Sequence, residues 1–378
     1  MRNIPQIEPL FGSEEREEVL KVLDSGFLTE GKRTREFEAE LARFVGAPHA
    51  IAVNNATVGL TIALLALGIG SGDEVIVPDF TFIATANAVA LAGATPVFAD
   101  VEPSTFVIDL EDARRRISPR VRAIVPVHLN GRAPDMEKLQ AFAAEHGLCV
   151  VEDAAQALGS RHAGRSLGTF GDAGVYSLGT TKIITTGQGG IIVTHREDVY
   201  KACVRLKDHG RPTRSSEVHE TFGFNSKFTD LQAALGLAQL AKLPERIAKK
   251  RELYRRYRDA LAGFAEVEFP PIDLDETVPW FVDILCIDRP GLESRLKLAG
   301  IDTRRFYLPL HSQPCFRREG VYPATEYLTE HGLWLPSSVK LNWEEVGVVC
   351  ECVLASGKNP CGAAPSKSRL SSRAKAVS

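Results

Sequence analysis

A lysine in a loop of small residues is the first feature able to do chemistry. Gly174-Val-Tyr-Ser-Leu-Gly-Thr-Thr-Lys182-Ile-Ile-Thr-Thr-Gly-Gln-Gly-Gly190 reads as a strand ending at Ser177, a loop carrying Lys182, and a glycine-rich turn into a second strand. A lysine normally seeks water. Held partly dry, its amine loses proton affinity and becomes a nucleophile toward aldehydes, which is what a Schiff-base lysine requires. By itself the segment also fits an ordinary loop lysine. Val150-Val151-Glu152-Asp153-Ala154-Ala155-Gln156 puts Asp153 at the end of an apolar strand. A buried carboxylate is costly unless paired. A pyridinium N–H is a suitable partner, because an acid there keeps pyridoxal phosphate protonated as an electron sink; capping the next helix is the competing use. Asn54-Asn55-Ala56-Thr57-Val58-Gly59 opens a helix whose free N–H groups and dipole favour a phosphate, with the Thr57 hydroxyl beside them. A plain N-cap also fits that segment. Asp79-Phe80-Thr81-Phe82 presents aromatics at a strand end, for stacking on a flat heterocycle or for the core.

These segments need a scaffold that gathers strand ends. Short β-rich runs at Ala50–Val53, Glu74–Pro78, Thr95–Phe98, Ala123–Val127, Cys149–Glu152, Gly174–Ser177 and Gly190–Thr194 alternate with helical stretches such as Ala56–Leu67, Phe82–Leu91 and Met136–His146. That alternation predicts an α/β fold: a mostly parallel seven-stranded sheet between helices. Sites in such sheets lie at the carboxyl ends of the strands, where the polar clusters 54–57, 79–82, 128–131, 153–156 and 177–182 fall. From Pro244 to Phe264 runs a basic helix with Ile247, Tyr254, Tyr257 and Leu261 on one face. Its Lys and Arg excess reads as a solvated face rather than a nucleic-acid patch. After Phe269-Pro270-Pro271 comes a smaller α+β unit, with a strand at Phe281–Ile287 and helices at Gly291–Ala299 and Val346–Leu354. The expected domains are 1–243, 244–356 and a disordered tail 357–378, whose Lys358, Lys367, Arg369, Arg373 and Lys375 face no acid.

Composition narrows the class. The chain has 378 residues, 44% of them hydrophobic and 25% charged, with a net charge of −3. That excludes a mainly disordered or collagenous chain, and the acidic body opposes a nucleic-acid role. No run of ~18 apolar residues predicts a membrane span, and the first residues lack the apolar core of a signal peptide. The seven cysteines are scattered and odd in number, so they read as reduced thiols rather than disulfides or metal ligands. The expected compartment is the cytoplasm, with no metal, no membrane and no nucleic acid.

Phosphate turn, stacking aromatic, E-D-A-A-Q, then S-x-x-x-x-K with T-T-G-x-G-G occur in that order, and together they resemble the DegT/DnrJ/EryC1/StrS family of pyridoxal-phosphate sugar aminotransferases. The resemblance runs from about Pro5 to Lys340. It includes Ser25-Gly-Phe-Leu-Thr-Glu-Gly31, Gly72-Asp-Glu-Val-Ile-Val-Pro78, Pro126-Val-His-Leu129 and Gly223-Phe-Asn225. Ile183–Gly187 and Phe228–Ala234 are similar to the branch that aminates C4 of a GDP-linked 4-keto-6-deoxy sugar, making GDP-perosamine.

The resemblance implies the type I aminotransferase fold. Lys182 would carry pyridoxal 5'-phosphate and shuttle the proton; Asp153 would pair with the ring nitrogen, Gln156 would approach the ring hydroxyl, and Phe82 would stack on the ring. Thr57, the Val58 amide and Ser177 would hold the phosphate. Asn225 would reach it from the second subunit of a homodimer. His128 and His311 would lie near the sugar or amino-donor pocket. The substrates would be L-glutamate and a nucleotide-linked keto-sugar, in surface-polysaccharide or O-antigen biosynthesis. Gln188, Leu178, Thr181 and Asn130 depart from the family pattern and are expected around the sugar pocket. Another keto- or aldehydo-sugar is the alternative acceptor. A pyridoxamine-dependent dehydratase is opposed by Lys182, since that branch has His there; a non-catalytic cofactor binder is opposed by the intact set Asp153, Gln156, Ser177 and Lys182.

Overall fold

The computed structural model describes residues 3–355; the tail read at 357–378 lies outside them. Two helices, α1 (Ser13–Ser25) and α2 (Lys32–Val45), come first. The alternating part follows as β1 (His49–Val53), α3 (Ala56–Ala66), β2 (Glu74–Pro78), α4 (Ala84–Leu91), β3 (Thr95–Ala99), α5 (Leu110–Arg115), β4 (Val121–Ile124), α6 (Met136–His146) and β5 (Cys149–Asp153). A short hairpin, β6 (Arg161–His162) and β7 (Arg165–Ser166), precedes β8 (Ala173–Ser177) and β9 (Gly190–Thr194). Then come α7 (Glu197–Lys207), α8 (Asp230–Ala241) and α9 (Leu243–Ala260).

The large sheet has seven strands in the order β1-β9-β8-β5-β4-β2-β3. β9 runs antiparallel to both neighbours, and every other pairing is parallel. Strand residues alternate between two cores. Ile76, Ile124 and Val150 face one cluster with Phe37, Leu41, Leu139 and Phe142. Val75, Val77, Val125 and Val151 face the other, with Leu60, Ile62, Val89 and Val199. Helices therefore cover both faces, as the near-continuous apolar strands require.

The C-terminal unit contains β10 (Val267–Glu268), β11 (Val282–Cys286), α10 (Arg289–Leu298), β12 (Arg304–Arg305), α11 (Pro323–His331), β13 (Gly332–Leu335) and α12 (Trp343–Leu354). Its antiparallel sheet has the order β10-β11-β13-β12. The expected boundary at 243 needs two corrections. Ile4 bridges to Ile301 and sits in the C-terminal core, and Gln6 bonds the Leu335 carbonyl, so the first residues pack with the small unit. Helix α9 serves both cores: Leu243 packs in the large one, and Leu253, Tyr254 and Tyr257 in the small one.

The basic face of α9 is also less solvated than its composition suggests. Arg246 is buried and bonds Gln239 and the carbonyls of Ile183 and Leu10. Lys250 is buried too, and Lys249 and Arg256 lie on the Trp343 ring. Much of the charge thus works inside the molecule.

Candidate active site

Lys182 follows β8 in the loop that returns to β9, between Leu178, which is fully buried, and the turn 185–189. The residue is partly buried, and its amine rests 3.6 Å from the centre of the Trp280 ring. Burial drops its pKa to about 7; the Asp153 carboxylate pulls the other way, and the Arg304 charge lowers it further. Trp280 is itself held by its indole N–H, which donates to the Thr181 carbonyl at 2.8 Å. Gln156, Ser177, Lys182, Ile183 and Trp280 line one cleft.

Asp153 closes β5. Its Oδ2 accepts from the Thr85 hydroxyl at 2.7 Å and its Oδ1 from the Ala155 amide at 3.1 Å. Burial raises its pKa; the two hydrogen bonds and the charges of Lys182 and His128 oppose that rise. Lys182 and Asp153 are thus close enough for each to bias the other's proton. Gln156 is oriented by the Asn130 amide, which donates to its Oε1 at 2.9 Å, leaving Nε2 facing Tyr307 Oη at 3.5 Å. Phe82 stands just before α4 with its ring half exposed, 5.8 Å from Tyr307.

At the start of α3, Asn55 is the N-cap. Its Oδ1 accepts from the Val58 amide at 2.9 Å. The expected anion contact of Val58 is therefore already spent on the cap, and the helix N-terminus offers the Ala56 and Thr57 amides instead. A Cβ at Gly190 would sit 2.6 Å from the Asn55 carbonyl carbon and 2.7 Å from Ala56 N, so only glycine lets β9 run this close beneath the turn. Ser177 is partly accessible, with its Oγ accepting from the Gly179 amide at 3.3 Å.

Two expectations about the substrate side change. His128 has no accessible surface; its Nε2 meets Glu152 Oε2 at 2.7 Å, so it cannot touch a sugar from there. Glu152 in turn accepts from the amides of Gly168, Phe170 and Gly171, which makes this pair part of the floor behind Asp153. The positions departing from the family pattern do not all border a sugar either. Leu178 is core, and Asn130, at φ 53°, joins the two units by bonding Asp283 and the backbone of Phe281. His311 is partly accessible. Its Nδ1 meets Asp79 Oδ2 at 2.7 Å and its ring stacks on Tyr322, which leaves Nε2 open. Asn225 is exposed in the segment between α7 and α8, beside Phe222, the most exposed large apolar residue described.

Thr85, Trp280, Tyr307 and Arg304 are the site residues that the motifs did not mark. Thr85 lies three residues after Phe82, and its contact with Asp153 depends on where α4 begins. Arg304 and Tyr307 lie in the run that ends at His311, a run whose only earlier signal was the histidine. The residues present fit pyridoxal phosphate: a buried carboxylate for a ring N–H, an amide N–H for a ring hydroxyl, an exposed aromatic for the ring face, and helix amides with hydroxyls for a phosphate.

Comparison with known proteins points the same way. The family described as the DegT/DnrJ/EryC1/StrS aminotransferase family matches residues 9–354. GDP-perosamine synthase of Caulobacter vibrioides is 38% identical over 325 residues, 83% of this chain and 88% of that protein. The spore coat polysaccharide biosynthesis protein SpsC of Bacillus subtilis is 35% identical over 373 residues, 93% of this chain and 96% of that one. The aminotransferase TlmJ of Streptoalloteichus hindustanus superposes with a TM-score of 0.90 at 33% identity, covering 94% and 98% of the two chains.

Proposed function

This chain belongs to the DegT/DnrJ/EryC1/StrS aminotransferase family, and on that premise we propose that it transfers the amino group of L-glutamate to C4 of a GDP-linked 4-keto-6-deoxy sugar. It is a pyridoxal-phosphate enzyme. The observation that carries the chemistry is the proximity of the Lys182 amine and the buried Asp153 carboxylate, each within electrostatic reach of the other. The relative from Caulobacter vibrioides supports the acceptor. SpsC, similar over nearly the full length, favours a second reading, a different polysaccharide sugar.

When bound, the cofactor supplies an aldehyde for the amino group and a ring that takes up the electron pair left when the donor's α C–H bond breaks. Lys182, whose proton affinity burial lowers, would take that proton on Nζ and pass it to the cofactor side, and in the second half of the cycle would take a proton from that side and give it to the acceptor carbon. Asp153, steadied by Thr85 and Ala155, holds the ring nitrogen's proton. Gln156 Nε2 donates to the ring hydroxyl, Phe82 covers one ring face, and Thr57 and Ser177 hold the phosphate. Trp280 keeps water from one side of Lys182. Asn225 reaches the phosphate of a second copy, so the active unit is a homodimer. The exposed Phe27, Leu28, Phe222 and Phe224 supply apolar surface for that contact. The enzyme works in the cytoplasm; among the described residues no helix is long and apolar enough to cross a membrane.

A half-reaction experiment tests this. The pyridoxamine-phosphate form is mixed with candidate keto-sugars, and the returning absorbance of the aldehyde form is followed. GDP-4-keto-6-deoxymannose should restore it fastest. Preference for a UDP- or dTDP-linked ketone would replace the acceptor while leaving the enzyme class intact.

A further inference from the structure

We propose that Arg304 is the residue that recognises the α-carboxylate of the amino donor, an assignment that rests on the aminotransferase reading above. Arg304 opens β12 and points its guanidinium among three rings, 5.5 Å from the centres of Tyr307 and Trp334 and 5.9 Å from that of Phe281. It has no carboxylate partner among the described residues, whereas its neighbour Arg305 holds Glu293 at 2.8 Å. A partly buried guanidinium without an anion is costly, and this one lies near enough to Lys182 for its charge to act on that amine. Phe281 stacks on Trp280 at 3.9 Å, and Trp280 carries Lys182 on its ring, so the two cations are held by one continuous aromatic stack. Tyr307, the second wall, meets both Gln156 and Phe82.

The chemistry of the two substrates decides which anion belongs there. The donor carries a carboxylate on the carbon whose proton Lys182 removes. The acceptor ring is neutral at the reacting carbon, and its charged diphosphate lies across the hexose at C1. A cation near Lys182 and the ring edge therefore suits the carboxylate. The planar guanidinium offers two parallel N–H groups that match its oxygens, and the apolar walls strengthen the pairing by excluding water. The Arg304 charge also lowers the Lys182 pKa. Neutralising that charge with a carboxylate makes the amine a better proton acceptor when the donor arrives. Arg304 thus sorts the two substrates that share one cleft.

The test separates the half-reactions in the cofactor-loaded full chain and adds a binding measurement with glutarate, a dicarboxylate with no amine to react. Arg304→Gln should cut kcat/KM for glutamate by about 10–100-fold, chiefly through KM, and weaken glutarate binding in calorimetry by a similar factor. It should leave the keto-sugar half-reaction within about threefold of wild type. Arg304→Lys should restore part of the glutamate loss. Equal loss in both half-reactions, or no loss with glutamate, overturns the assignment. Loss confined to the sugar half-reaction also overturns it and gives Arg304 to the diphosphate. If wild type runs neither half-reaction, the aminotransferase reading fails, and glutarate binding alone then decides Arg304: affinity unchanged in the Gln variant rejects it.

Discussion

Lys182, in the loop after β8, is partly buried and Lys250, on α9, is fully so, and burial brings each amine's pKa down to about 7. Their surroundings differ. Lys250 donates to the carbonyls of Trp280, at 2.6 Å, and Ser337, so its hydrogens are spent on backbone. Lys182 has a ring beneath it, an acid and an unpaired arginine within electrostatic reach, and an opening to the cleft. A depressed lysine pKa therefore marks burial, and only the partners distinguish a reactive amine from a structural one. The two are linked, because Lys250 fixes the backbone of the tryptophan on which Lys182 rests.

The largest effect should separate them most sharply. Lys182→Ala should lower transamination by about 10⁴-fold or more without lowering the denaturation midpoint of the cofactor-free protein. Measurable turnover in that variant would mean another base serves the reaction. Lys250→Ala should do the reverse. It leaves two buried carbonyls without donors and opens a cavity, at a cost of about 3–5 kcal/mol in denaturant unfolding. An Ala variant as stable as wild type would show that water replaces the ammonium there.

Asp153→Asn comes next. It keeps the shape and the acceptor for the Ala155 amide, obliges the Thr85 hydroxyl to accept rather than donate, and removes the charge that faces the ring, so turnover should fall by about 10²–10³-fold with folding intact. Full activity would place the ring elsewhere. Together with Lys182→Ala, this variant tests whether the comparison turns on the acid as well as on the amine.

The residues on the two sides of the cleft were unequally legible. Lys182, Asp153, Thr57 and Phe82 each sit at a strand end within a contiguous segment, and a parallel sheet with short connections brings such ends together by construction. The partners of those residues come from distant chain positions. Thr85 meets Asp153 only because the sheet order places the connection after β2 near the end of β5. Trp280 and Arg304 belong to the second unit, whose docking depends on pairs such as Arg132 with Asp283 and on Asn130 in a left-handed conformation. No local pattern around residue 280 encodes that docking. Within α3 the cap was readable from Asn55, but its preference for Val58 over Ala56 and Thr57 required the side-chain geometry.

The smallest effect is a pH dependence that both lysines share. Each has a folded-state pKa near 7 against an ordinary value of 10.5. Between those values the unfolded chain holds a proton that the folded chain has released, so unfolding takes up protons and stability rises with pH. Below about pH 7 both states are protonated and the penalty of burying the charge is felt in full. Each lysine contributes a slope of up to about 1.4 kcal/mol per pH unit across that window. Cofactor-free protein should show the sum, and Lys250→Met should remove roughly half of it at every pH from 7.5 to 10. Loading the cofactor engages the Lys182 amine and should remove the other half in wild type. If Lys250→Met leaves the slope untouched, its two carbonyl partners hold the ammonium charged despite burial, and the likeness between the two lysines fails.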